Sequence, residues 1–249
     1  SRPNPPHRGP MEIHLAGNRV PVEIMPEDLR TNIRGSTTDG GARLFVSTYR
    51  EDAARPYEVV AVNGSSRRWS RFATPPLNQR FHCTEWHGGL LYVAGGKTGE
   101  YFDTYINTFH AFNETTGLWE DLPPMPHACA WATSGVIGNE LFVAGGRYGG
   151  NEILTLQIYD ITARTWRLGA PLPHPLYGAY GIVVGGKLYL VPSRWSTVGG
   201  RWLVYDVQSN TWTEQIPTRT IASDGAMHAF AHNDLIVGVH RHNLTFYHG

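Results

Sequence analysis

The chain has 249 residues, with 21 basic side chains balanced by 21 acidic ones, so it lacks the basic excess that a nucleic-acid or anionic-membrane surface needs. A 41% hydrophobic share supports a core rather than disorder, and two cysteines make no disulfide framework. The 28 glycines and 17 prolines point to many turns, hence many short strands.

In chain order, residues 1–10 hold four prolines and read as an extended or disordered tail. They lack the apolar stretch of a signal peptide, and no run approaches the roughly 20 residues of a membrane helix. The expectation is a cytoplasmic domain, and a chain that starts on Ser1 reads as a piece of something longer. Residues 11–16 and 20–25 form a hairpin across Gly17-Asn18, and residues 26–31 are the one place for a turn of helix. From there to the end, one phrase recurs: Leu, an aromatic, an aliphatic. It stands at Leu44-Phe45-Val46, Leu91-Tyr92-Val93, Leu141-Phe142-Val143 and Leu188-Tyr189-Leu190, with Leu235-Ile236-Val237 as a fifth copy. The steps are 47, 50, 47 and 47 residues. Trp69, Trp119, Trp166 and Trp212 keep the same rhythm, at steps of 50, 47 and 46.

The unit at 80–126 shows what each repeat contains. Residues 81–86 are a first strand and Gly88-Gly89 a turn. Residues 90–94 form a continuous apolar strand, buried on both faces, that ends at Gly95-Gly96. Residues 105–112 alternate, 113–117 turn, and 118–122 are a short outer strand carrying Trp119. Four short antiparallel strands at a period near 47 describe a propeller blade. Repeats are expected near 33–75, 80–126, 128–173, 177–217 and 225–249, within one domain of 11–249.

The segment from Leu91 through Gly95-Gly96, Gly117, Trp119 and Pro123-Pro124-Met125-Pro126 resembles the kelch repeat, and the segment from Leu141 to Trp166 resembles it as closely. The double glycine is replaced by Ser47-Thr48, Pro192-Ser193 and Val239-His240 in the other units. The resemblance implies an all-β, kelch-type β-propeller of four-stranded antiparallel blades. Five blades is the economical count; six, with one split or incomplete, is the alternative. The last unit stops before a Trp-bearing outer strand, so residues 11–25 are expected to clasp it as that strand and cover an exposed edge. The propeller half of BTB–Kelch proteins, substrate receptors of cullin-type ubiquitin ligases, is the nearest flavour. Nothing in these residues corresponds to the BTB part, so a cullin would be reached only through a part outside this sequence.

The same resemblance implies that loops between strands two and three, and between blades, gather at one mouth and bind partners. The first set carries Tyr49, Arg50, Lys97, Tyr101, Arg147 and Tyr148, then Arg194, Trp195 and Arg241. The second set carries Arg80, His127, Tyr177 and Arg219. Arginine forks suit carboxylates, and Arg with Tyr and Trp is the usual mixture at interface hot spots. The expected ligand is therefore a protein or peptide, acidic in character, such as a degron. Exposed loops also carry charge without any partner.

One Trp per repeat reads as a packing anchor. Trp195 and Trp202 break the period, and Trp195, beside Arg194, reads as a binding aromatic. The twelve histidines, including His228, His232, His240 and His242, match no metal motif; no metal and no cofactor are expected. His82 is placed to line the channel, and Cys83 and Cys129 are expected buried and reduced beside first strands. No nucleophile, phosphate or dinucleotide motif is present, so a binding module is expected rather than an enzyme. A kelch-type enzyme acting on a sugar (a mutarotase or an oxidase) and a cytoskeletal scaffold are the alternatives.

Overall fold

The computed structural model describes residues 12–15, 18–21, 33–38, 43–48, 58–63, 69–99, 104–192, 201–216, 228–232, 235–239 and 244–248. They fall into two compact units, Ser1–Leu77 and Asn78–Gly249. In the first, β1 (Glu12–Leu15) and β2 (Asn18–Pro21) pair as an antiparallel hairpin. Then β3 (Ile33–Thr38), β4 (Arg43–Thr48), β5 (Glu58–Asn63) and β6 (Trp69–Ala73) form a four-stranded antiparallel sheet in chain order. Phe45 and Val59 are fully buried in it, and Phe45 meets Phe72 edge-on at 4.8 Å.

The second unit repeats that sheet. One blade is β7 (Cys83–His87), β8 (Leu90–Ala94), β11 (Phe109–Asn113) and β12 (Leu118–Leu122), with the small hairpin β9 (Lys97–Thr98) and β10 (Thr104–Tyr105) projecting from its middle. The next is β13 (Thr133–Ile137), β14 (Glu140–Ala144), β17 (Leu156–Asp160) and β18 (Thr165–Leu168), with the matching hairpin β15 (Arg147–Tyr148) and β16 (Asn151–Glu152). After it come β19 (Tyr180–Val184), β20 (Lys187–Val191), β21 (Trp202–Asp206) and β22 (Thr211–Gln215). Last is a three-stranded sheet, β23 (His228–His232), β24 (Leu235–Val239) and β25 (Leu244–His248). Within this unit the first strands β7, β13, β19 and β23 stand side by side, each against the next. The fold is an all-β propeller of antiparallel blades, and no helix among the described residues is long and apolar enough to cross a membrane.

The recurrent phrase explains how the blades stack. Side chains alternate faces along a strand. Leu141 and Val143 therefore join Tyr92, Ala94 and Phe109 in one apolar layer, while Phe142 and Ala144 join Leu188, Leu190 and Tyr205 in the next. Tyr189 and Val191 face the layer that reaches Ile236. A second strand must be apolar at every position because both of its faces are blade interfaces.

The turn before each outer strand is also written locally. Asn113, Asp160 and Asp206 turn their side-chain oxygens onto the N–H groups of Thr115 and Thr116, of Ala163, and of Gln208 and Ser209. Gly117, Arg164 and Asn210 then take left-handed φ, at +69°, +57° and +53°, and the Trp follows two residues later. Trp166 Nε1 donates to the Pro123 carbonyl at 2.7 Å and Trp212 Nε1 to the Ala170 carbonyl at 2.8 Å, so each anchor reaches back to the segment leaving the preceding blade.

Some boundaries differ from the sequence reading. The strand expected at 81–86 runs Cys83–His87, because the backbone of residues 80–82 is committed to the mouth, as described below. The strand expected at 105–112 runs Phe109–Asn113, because Tyr105 belongs to the projecting hairpin. Trp202, outside the Trp period, is a buried core residue of β21. The N-terminal hairpin is a two-stranded sheet and the last blade a three-stranded one, so the clasp through residues 11–25 stands as a proposal. Residues 26–31, expected as a helical turn, lie outside the described residues.

Candidate functional site

Gly95-Gly96 and Gly145-Gly146 end the second strands at the mouth. Gly96 sits at φ +102°, and a Cβ there would lie 2.7 Å from the Arg80 carbonyl oxygen. Its N–H donates to the Cys129 carbonyl of the neighbouring blade at 2.7 Å, as the Gly146 N–H does to the Leu176 carbonyl at 2.8 Å. The double glycine is thus a close-approach device that lets one blade hydrogen-bond to the entry of the next. Just beyond it, Lys97 and Arg80 exchange backbone hydrogen bonds, both 2.9 Å, and Arg147 and Ala130 do the same at 2.8 and 3.0 Å.

These bridges set the side chains. Phe81 and Trp131 follow the bridged residues, and both take left-handed φ, +59° and +56°. Gly178 holds the same place in the following blade at +62°. The three are linked around the mouth: Trp131 N–H donates to the Phe81 carbonyl at 2.9 Å and Gly178 N–H to the Trp131 carbonyl at 2.8 Å. Glycine adopts this backbone without strain, whereas a side-chain-bearing residue pays about 1–2 kcal/mol. The Phe81 and Trp131 rings stack with centroids 4.2 Å apart and planes 24° apart. Tyr105 stands 6.4 Å from Trp131 and 5.6 Å from Tyr148, which is 55% exposed.

The sequence reading expected exposed loop cations here, and the structure divides them. Lys97 is buried, its ammonium 4.5 Å from the centre of the Trp131 ring and 5.3 Å from that of Phe81. A cation–π contact gains strength when desolvated, which is how a lysine is tolerated in this position. Arg147 repeats the device one blade on, its guanidinium 5.1 Å from the centre of the Tyr177 ring. Each cation after a double glycine therefore caps an aromatic ring at the entry of the next blade. Arg147 is only half-buried, however. It donates to the Gly150 carbonyl, its Nε has no hydrogen-bond partner, and no carboxylate lies within ion-pair distance of it among the described residues. Arg80, half-buried, donates to the Gly99 carbonyl.

His127 is exposed and stands apart, its N–H donating to Gln157 Oε1 at 2.8 Å. Tyr49, Arg50, Tyr101, Arg194, Trp195, Arg219 and Arg241 lie outside the described residues. The structure thus joins Arg80 with Lys97, and Arg147 with Tyr177 and Tyr148, at one mouth. It adds Phe81, Trp131 and Tyr105, which the sequence reading did not select. Their signal was available: Phe81 and Trp131 are 50 residues apart, the same step as Trp69 to Trp119, and Gly178 follows 47 later.

Burial beside the site holds one histidine and both thiols in their uncharged forms. His82 is buried beneath the mouth rather than lining it; burial lowers its pKa to about 4, outweighing its hydrogen bond to the Gln79 carbonyl. Burial pushes the Cys83 thiol well up, helped by the neighbouring Cys129, and pushes Cys129 up to about 12 against a contact from the Gln157 amide. Both thiols are free and buried, as expected. At the opposite end of the strands a concavity lined by Leu90, Tyr92 and Tyr159 is rimmed by the ion pair of Arg164 with Glu120, so its one cation is already neutralised.

Successive antiparallel blades, a double glycine that ends the second strand, a Trp anchor in the fourth, and a cation-and-aromatic mouth define a kelch propeller. Residues 38–239 match the family model described as the KLHDC2/KLHL20/DRC7 Kelch-repeats domain, and the chain belongs to that family. No curated protein matches it. A kelch propeller of this type is a protein-interaction module, so its partner is another protein.

Proposed function

We propose that the chain recognises an extended, acidic segment of a partner protein at the mouth around Arg80 and Arg147, as the substrate-recognition part of a cytoplasmic ubiquitin-ligase adaptor. The observation that carries this reading is Arg147. A half-buried guanidinium whose partners are one carbonyl and one ring leaves its charge without a carboxylate, and an incoming Asp or Glu would supply one. The hairpin that bears Arg147 and Tyr148 sets an arginine and a tyrosine side by side, the residue types that interface hot spots favour. Cullin recruitment belongs to a separate part of the assembly.

The test is binding of acidic and charge-reversed peptide arrays to the intact chain and to Arg147→Ala. Capture of acidic peptides that falls tenfold or more in the variant, with rising salt acting the same way, supports the reading. Equal capture by both proteins rejects it.

A further inference from the structure

We infer that the mouth reads a two-part feature in its partner: a flat apolar ring, proline or aromatic, beside an acidic residue, with the Phe81–Trp131 pair receiving the ring and Arg147 the carboxylate. This rests on the proposed peptide-binding function and adds to it the class of segment bound.

The repeat supplies its own comparison. Phe81, Trp131 and Gly178 occupy one position in three successive blades, with φ of +59°, +56° and +62° and the same backbone hydrogen bonds between them. Glycine meets that geometry without strain, and in two of the three blades the chain carries a large aromatic there instead. The aromatic pair also draws in Lys97, whose ammonium is buried against both rings. A strained backbone and a buried cation both cost stability, which the ring stack and the cation–π contacts offset. What the rings provide is a stacked, half-buried ledge that continues through Tyr105 to the exposed Tyr148. An aromatic-lined surface of this kind takes flat apolar rings, and proline in an extended segment above all.

The spacing of the two parts follows from the bridge. Ala130, next to Trp131, exchanges both backbone hydrogen bonds with Arg147, so ledge and guanidinium are neighbours. An extended peptide advances about 3.3 Å per residue, so a ring and an acid close together in its sequence suit two parts mounted on bridged backbone.

The experiment pans a random twelve-residue phage-displayed library on the intact chain, then measures the affinity of the selected peptides for wild type, Trp131→Gly and Arg147→Ala. Glycine accepts the existing φ, as Gly178 does, so Trp131→Gly relieves the backbone strain but removes the stack on Phe81 and the ring over the buried Lys97 ammonium; it should stay folded with a lowered melting temperature while binding tenfold or more weaker. Selected peptides should carry proline or an aromatic within two residues of Asp or Glu. Replacing that ring by alanine in the peptide, with the protein untouched, should weaken binding to the same degree, and this arm stands even where the protein variant fails to fold. Acidic peptides without a ring, or binding lost in Arg147→Ala but kept both in Trp131→Gly and with the ring-free peptide, overturns the inference and leaves the acidic-segment reading intact. No peptide selected by the wild type overturns both.

Discussion

Gly96 and Gly88 are both glycines at left-handed φ, yet substituting them has different consequences. At Gly88, φ is +58° and a Cβ would meet nothing within 4 Å. Gly88→Ala should therefore cost only the backbone strain, about 1 kcal/mol. At Gly96, φ is +102° and the Cβ would lie 2.7 Å from the Arg80 carbonyl oxygen and 3.1 Å from the His82 Cβ. The Arg80 carbonyl cannot yield without breaking its hydrogen bond from the Lys97 N–H, so Gly96→Ala should cost more than about 3 kcal/mol, read as the difference in urea midpoints. His82 makes a second prediction at this scale. Its folded pKa is lowered to about 4 while the unfolded imidazole titrates near 6.5. Between those values the unfolded chain binds more protons, so the contribution is complete above pH 6.5 and is lost as pH falls toward 4. Unfolding free energy should drop by about 2 kcal/mol from pH 7 to pH 5 through this group alone. His82→Gln should remove that part of the slope; an unchanged slope would show that His82 is not its source.

The outer strands act as fasteners as much as sheet edges. β18 and β22 are mostly exposed, yet each places its Trp against the third strand of its own blade, Tyr159 to Trp166 and Tyr205 to Trp212 both at 5.0 Å. Phe109 of the preceding blade meets Trp166 edge-on at 5.1 Å. The indole N–H groups then hold the carbonyls of Pro123 and Ala170. Trp166→Phe keeps an aromatic ring but leaves the Pro123 carbonyl without its donor, for a cost of about 1–2 kcal/mol. Trp212→Phe should behave alike. The two substitutions affect different blade junctions, so the double variant should lose close to the sum in chemical unfolding. A loss confined to one junction would mean that the anchors are not equivalent.

At the scale of the whole molecule, balanced charge conceals an uneven distribution. In the second unit, away from the mouth, cations face acids: Arg164 with Glu120, Arg167 with Glu140, Arg201 with Glu214 and Lys187 with Asp206. At the mouth, Lys97 and Arg147 face aromatic rings instead. That contrast is the ground on which the mouth is proposed as the recognition surface despite a formal net charge of zero. The blades themselves were legible in the sequence. A strand buried on both faces must be apolar throughout, and a Trp that fastens each junction must recur once per blade, so packing wrote the period near 47 residues into the chain. The Asn or Asp that opens each outer turn was legible for the same reason, because the geometry it satisfies lies within a few residues. The mouth was legible only as a list of loop residues. Whether a loop cation meets solvent, an acid or a ring depends on where the next blade's entry passes, and that entry lies some 30 residues further along the chain. Lys97 is therefore buried against Trp131, Arg147 is left half-open over Tyr177, and Phe81 and Trp131 form a ledge instead of strand residues. The sequence by itself determined the repeat and the blade, because those depend on local alternation and burial. Only the tertiary structure decided which mouth side chains hold blades together and which face outward, because that is settled by contacts between neighbouring repeats.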